Sequence, residues 1–336
     1  MNAMLGTLAL LLAFVCVFAM GYAIQRGGTC TVAAVDEIVA SRRAHRLAAM
    51  LEASLWVAGA LAIAAALDRL PVMPASFAVT GWTVLGGALL GLGAWLGGAC
   101  VFGAIARFGS GQWAYVATPI GFYVGCLSLG DLFPSAAAQP LDGPVPLLQM
   151  AGIAAIAFAA FVVWRLVRAR PRRGEGDGRW TGFARRVGDQ VASPHAATVV
   201  IGITFVAAWL LAGRWTYTEL LVDLAHDMAG SVAARAALFA ALLCGAVWGG
   251  WRAVGLGSRR VTPAQLARCV AGGVLMGWGT LLIPGANDGL ILVGLPLLRP
   301  YAWLAFGTMC VSIGAAIALQ RALRGRSAAP ALPHGG

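Results

Sequence analysis

Charge is what this sequence has least of. Of its 336 residues 11% are charged, and all 24 Lys+Arg positions are arginine, none lysine. A soluble domain of this length carries about one quarter charged residues. So few charges cannot solvate a globular surface, but they suffice for loops between membrane spans. Histidine is scarce too: His45, His195, His226 and His334 lie at or beyond the ends of apolar runs, which argues against a histidine-lined metal path. The seven cysteines include no Cys-x-x-Cys, which argues against a zinc site and against a secreted disulfide scaffold. A phosphate-binding G-x-x-x-x-G-K, an H-E-x-x-H and paired carboxylates in a cleft are all missing. Soluble catalysis is set aside on that ground, and ATP-driven transport would need a separate subunit. The chain also lacks an RNP-like motif and an aromatic-interleaved basic patch, so its net charge of +11 reads as membrane topology rather than nucleic-acid binding. No cofactor and no metal is expected.

What is present is apolar length. The chain is 60% hydrophobic with mean hydropathy +0.81. A span needs about 20 largely apolar residues. The charge-free gaps give nine candidates, at roughly 3–24, 47–67, 82–106, 112–130, 147–167, 196–213, 234–252, 265–283 and 300–320. The first begins without a basic n-region and reads as an uncleaved span. Alternating sides sorts the arginines. One set of loops collects Arg42, Arg43, Arg46, Arg107, the cluster from Arg165 to Arg186, Arg252, Arg259, Arg260, Arg268, Arg321, Arg324 and Arg326; the other holds Arg69, Arg214 and Arg299. Positive loops stay in the cytoplasm. The reading is a multi-pass membrane protein, N-terminus outside and C-terminus cytoplasmic. It divides into a first half 1–169 with five spans, a cytoplasmic linker 170–194, a second half 195–321 with four spans and a cytoplasmic tail 322–336.

An internal repeat gives the halves meaning. Gly86–Gly103 reads GGALLGLGAWLGGACVFG and Gly272–Gly289 reads GGVLMGWGTLLIPGANDG. They align without a gap at a shift of 186 (272 − 86). Five glycines coincide, and Tyr115 with Tyr301 and Gly121 with Gly307 extend the register. The first copy runs from outside to inside and the second from inside to outside. An odd number of spans between copies inverts the second, the pattern of secondary transporters whose site lies where the repeats meet. The expected fold class is an all-α membrane protein with about nine transmembrane helices in two inverted repeats. Short amphipathic pieces at Thr31–Ala44 and Trp215–Met228 cannot span and are expected to be re-entrant or interfacial.

Three stretches carry a resemblance to a known family. GYAIQRGGTC (Gly21–Cys30), GLGAWLGGACVFGAIARFGSG (Gly91–Gly111) and GVLMGWGTLLIPGANDG (Gly273–Gly289) resemble the YeeE/YedE family, membrane proteins of sulfur transport that include bacterial thiosulfate uptake transporters. With the span order, the resemblance covers nearly the whole chain. It implies an hourglass of two inverted halves with cysteines at a central constriction, here Cys30 and Cys100. The family's third cysteine maps through the shift of 186 onto Ala286, a departure that bears on the substrate more than on the fold. The resemblance also implies a small sulfur oxyanion as substrate and a TusA-like cytoplasmic sulfur-carrier protein as partner.

The residues suit such a cargo. An anion in a low-dielectric passage needs hydrogen-bond donors, and half-helix starts supply them. Gly97, Gly98 and Gly103 let backbone come close. A neutral thiol adds a weak donor that does not trap the cargo. Arg26 has two readings, neutralising the anion or pairing with Asp36 or Glu37. Arg107 reads as a positive-inside anchor or a pathway charge. Asn287 can donate where the third thiol is missing. Asp288 pairs with Arg299, caps a helix start, or titrates in proton coupling. The pathway candidates are therefore Cys30, Cys100, Arg26, Gly98, Gly103, Asn287 and Asp288. Two rivals stand beside uptake of thiosulfate: a membrane thiol-redox or sulfur-relay protein working through Cys30 and Cys100, and a transporter of a different substrate. A non-transporting scaffold would not need so many helix breakers.

Overall fold

The computed structural model describes residues 2–132, 139–141, 143–168, 191, 193–226, 232–254 and 260–327. Most of the expected linker and the end of the expected tail lie outside the described residues, as does Met228.

The described chain is almost entirely helical. Its elements are α1 (Asn2–Gly27), α2 (Thr31–Ser41), α3 (His45–Ala66), β1 (Ser76–Phe77), α4 (Gly81–Gly97), α5 (Val101–Gly109), a 3₁₀ turn (Trp113–Val116), α6 (Ala117–Leu132), β2 (Pro140–Leu141), α7 (Pro146–Gln149) and α8 (Ala151–Arg168). They continue with α9 (Pro194–Ala212), α10 (Tyr217–Ala225), α11 (Val232–Val254), α12 (Pro263–Leu282), α13 (Asn287–Gly289), a π-helical turn (Leu290–Gly294) and α14 (Pro300–Ser327). The β1 and β2 strands pair antiparallel, Ser76 opposite Leu141 and Phe77 opposite Pro140.

Among the described residues six stretches are long and apolar enough to cross a membrane: Gly6–Ser41, His45–Ala66, Gly81–Gly109, Pro194–Ala212, Val232–Ala253 and Pro300–Arg324. The pair Pro263–Leu282 and Asn287–Gly294, bent by 51°, adds a seventh. The other two expected spans hold shorter apolar helices, α6 with 16 residues and the stretch Ala151–Arg165 of α8. The outward side chains are oily: Val15 is 65%, Ile153 71%, Ile156 73% and Val311 71% exposed. Water would penalise such a belt, and lipid chains would not. The chain is a multi-pass α-helical membrane protein.

Helix starts follow local rules. Thr262 caps α12, accepting from the Gln265 amide, with Pro263 in the first turn, and Ser193 caps α9 likewise from Ala196, ahead of Pro194. Proline suits that first turn because its missing N–H would be unbonded there anyway.

Small residues set the packing. Helices α4 and α12 lie against each other along a glycine seam. A methyl group on Gly93 would meet the Gly272 carbonyl at 2.6 Å, and one on Gly86 would meet the Gly279 carbonyl at 2.9 Å. Without a hydrophobic drive between helices in lipid, such close backbone approach is what holds them. Around the seam α4 packs on α14 and α12 on α6; α1 packs on α11 and α9 on α3. At one end Glu52 of α3 clasps Arg165 of α8 and His195 of α9, the latter at 2.5 Å.

Candidate functional site

Four short helices begin inside the protein, and each follows a glycine that turns the chain with positive φ. Gly28 (φ 58°) precedes α2, Gly98 (77°) α5, Gly213 (86°) α10 and Gly285 (139°) α13. The turns at Gly98 and Gly285 break what would otherwise be continuous spans. A side chain there would strain the backbone, which is why the breaks fall at glycine. After each turn one extended residue stands at the helix start: Cys30, Cys100, Thr216 and Ala286.

The two cysteines meet. The Cys100 and Cys30 sulfurs are 3.8 Å apart, and both residues are buried. The Thr31 amide, at the start of α2, donates to the Cys100 sulfur at 3.2 Å. Cys30 reaches Cys100 because Gly103 has no side chain. A methyl group at Gly103 would lie 2.4 Å from the Cys30 sulfur, so the room left by Gly103 holds the thiol.

Asn287 joins the same cluster. Its amide nitrogen donates to the Thr31 hydroxyl at 3.3 Å, linking the second broken span to α2. Asp288 follows, 2% exposed. One carboxylate oxygen accepts from the Thr218 hydroxyl at 2.7 Å and the Gly289 amide at 2.9 Å. Asp288 lies in the first helical turn, two residues past the capping position that Ala286 occupies. Arg299, the partner considered from sequence, instead donates to the Pro74 carbonyl at 2.9 Å.

The arginines lie at the margins. Arg26 is in the last turn of α1, ahead of the turn that presents Cys30. Of the carboxylates considered for it, Asp36 pairs with Arg321 at 2.6 Å and Glu37 accepts the Arg46 amide at 3.0 Å. Arg107, in the last turn of α5, donates to the Tyr115 hydroxyl at 2.8 Å. That hydroxyl stands 3.2 Å from where a Gly98 side chain would begin, so Arg107 and Tyr115 back the turn that presents Cys100.

Three buried residues of the cluster were not legible as site residues. Thr216, Tyr217 and Thr218 start α10. The Thr216 and Thr218 hydroxyls are 3.3 Å apart, and the Tyr217 hydroxyl donates to the Val101 carbonyl of α5 at 2.9 Å. The available signal was the repeat itself, since the shift of 186 carries Cys30 onto Thr216. A cavity of about 340 Å³ opens beside them, lined among others by Arg214, Thr218, Glu219, Asp223, Ala286 and Gly289. Among the described residues no group of three or more His, Cys, Asp or Glu could hold a metal ion.

The assembly is a ring of half-helix starts bearing two thiols, an amide and hydroxyls, enclosed by glycine-packed spans. It can offer weak donors to a small anion. No curated protein matches the chain. The family model described as sulphur transport matches residues 26–317, which takes in every position named above as a pathway candidate. The chain therefore belongs to the sulphur transport family, the YeeE/YedE proteins.

Proposed function

We propose that this protein takes up a small sulfur oxyanion, thiosulfate foremost, through a central passage lined by Cys30, Cys100, Gly98, Gly103, Asn287 and Asp288, with Arg26 near its mouth. The observation that carries the reading is the meeting of Cys30 and Cys100 at the starts of two half-helices, one of whose amides points at sulfur. Thiosulfate has a soft terminal sulfur and hard oxygens. The thiols suit the former, and the donors of Asn287 and Thr216 suit the latter. Gly103 serves by making room for Cys30, and Gly98 by turning the chain into Cys100.

The architecture proposed is nine spans in two inverted halves, 1–169 and 195–321, joined by a cytoplasmic linker 170–194 and ending in the tail 322–336. Its support is a set of contacts that exchange when 186 is added to residue numbers. Gly86 on Gly279 becomes Gly272 on Gly93. The packing of α1 on α11 becomes that of α9 on α3, and α4 on α14 becomes α12 on α6. The Asn287–Thr31 bond has its counterpart in Tyr217–Val101. We place the protein in the bacterial inner membrane with its N-terminus outside, on the arginine asymmetry, and propose a TusA-like sulfur-carrier protein as its cytoplasmic partner.

Cells lacking their own sulfate and thiosulfate importers test this. Expression of the protein is expected to restore uptake of radiolabelled thiosulfate, with sulfite as a weaker competitor than unlabelled thiosulfate. No uptake by a well-expressed protein would move the substrate elsewhere, with Ala286, Asn287 and Asp288 the first positions to examine.

A second reading, thiol redox or sulfur relay, is favoured by the 3.8 Å separation of the two sulfurs. Serine at either cysteine separates the readings. A hydrogen-bonding role keeps part of the uptake, because a hydroxyl still donates, and redox chemistry keeps none.

A further inference from the structure

Asp288 is a carboxylic acid sealed into the passage. One of its oxygens is bonded by Thr218 and Gly289; the other is buried and has no hydrogen-bond partner among the described residues. Among those residues no ion pair includes Asp288. The charged and titratable groups facing it from the elements packed around α13 are few. Tyr217 of α10 is engaged with the Val101 carbonyl, and Glu219 of α10 is paired with Arg214 at 2.5 Å. Cys100 at the head of α5 holds the Thr31 amide and faces Cys30, and Arg107 at the far end of α5 is bonded to Tyr115. None of them offers Asp288 a counter-charge.

A buried carboxylate without a counter-charge is strongly disfavoured, whereas the neutral acid is not. The neutral acid also gains an O–H donor, and the oxygen lacking a partner is the place for it. Ionised, Asp288 repels an anion entering beside Asn287; protonated, it can donate to one. Its bonding partners Thr218 and Gly289 both line the 340 Å³ cavity, so the acid stands one layer behind a space lined by Glu219 and Asp223, which pair with Arg214 and Arg235.

We propose that Asp288 is the proton-binding site that couples anion passage to proton entry. It takes a proton from the cavity side, receives the anion while neutral, and releases the proton to the opposite side once the anion has left. One proton crosses per turn and no covalent bond of the anion changes. The proposal rests on the anion-transport reading above.

Proteoliposomes separate the two. Counterflow of radiolabelled thiosulfate, with equal pH on both sides, reads passage alone. Accumulation driven by a pH gradient, acid on the cavity side, reads coupling. The wild type is expected to show both. In Asp288→Asn, permanently neutral, gradient-driven accumulation is expected to fall at least tenfold more than counterflow. Asp288→Glu, which keeps an acid, is expected to retain accumulation with a shifted pH midpoint. Accumulation indifferent to the gradient in the wild type, or preserved in Asp288→Asn, overturns the coupling role and leaves transport standing. Equal loss of both modes in Asp288→Asn, with no midpoint shift in Asp288→Glu, overturns it as well. Absence of counterflow in the wild type overturns the transport reading itself.

Discussion

The break between α4 and α5 and the break between α12 and α13 use one backbone device. Each ends a long helix, turns at a glycine of positive φ, and starts a short helix from an extended residue. What stands at that residue differs. The first break presents Cys100, beside Cys30; the second presents Ala286, followed by Asn287 and Asp288. The partner helices differ in the same sense, α2 starting from a thiol and α10 from the Thr216 hydroxyl. Folding constrained the turn, which needs glycine, and the seam, which needs no side chain at all. It left the helix-start side chains free to vary. The outcome is one buried cluster with a sulfur-bearing side and an oxygen-bearing side.

The comparison can be broken most sharply at Cys100. Cys100→Ala is expected to cut uptake roughly tenfold to a hundredfold, since a hydrogen bond to a charged group is worth about 1.5–3 kcal/mol; Cys100→Ser should retain more of it. Initial rates at fixed substrate give the answer, and equal rates in Cys100→Ser and Cys100→Ala would show that donation is not its role. Next comes the seam. Gly93→Ala forces a methyl group against the Gly272 carbonyl, which stands 2.6 Å away. Overpacking costs about 1–3 kcal/mol, read as a lowered melting temperature in detergent, and an unchanged melt would mean that α4 and α12 pack less closely than described.

Gly103→Ala sharpens the sulfur side. It is expected to lower uptake several-fold by displacing Cys30, and to add little when Cys30 is already alanine, because the clash is with that thiol. A double-mutant cycle reads the coupling, and strict additivity would place Cys30 away from Gly103. The smallest effect belongs to the oxygen side. Thr216→Val removes the cap of α10, which accepts from the Glu219 amide at 3.2 Å, at a cost of about 1 kcal/mol. A melt unmoved by Thr216→Val would mean the hydroxyl serves the passage alone.

Much of this was readable before any coordinates. Apolar runs between arginines mark where helices lie, and the two glycine motifs mark the breaks, because both signals are local in sequence. The motif around Cys100 also pointed to a thiol at the centre. The contact of Cys30 with Cys100 was not readable: it spans 70 residues and depends on a vacancy at Gly103 that composition does not reveal. Thr216 was hidden for another reason. The helical spacing of Leu220, Leu221 and Leu224 draws attention to an apolar face, whereas the buried hydroxyls of α10 sit at its first turn, where periodicity is silent. The β1–β2 pair, two residues to a strand, is too short to leave any pattern. For Asp288 the residue alone left three roles open; its partners Thr218 and Gly289, and the engagement of Arg299 with Pro74, come from tertiary packing.

The most direct test of the account compares cysteines of equal burial and unequal place. Cys126 is as buried as Cys100, but its sulfur faces the Gly277 carbonyl between α6 and α12 at 4.0 Å. Uptake of radiolabelled thiosulfate into proteoliposomes should fall at least about tenfold in Cys30→Ala and Cys100→Ala and be kept in Cys126→Ala. Uptake that survives in Cys100→Ala at the wild-type rate, or that falls alike in all three, would contradict a passage through the paired thiols.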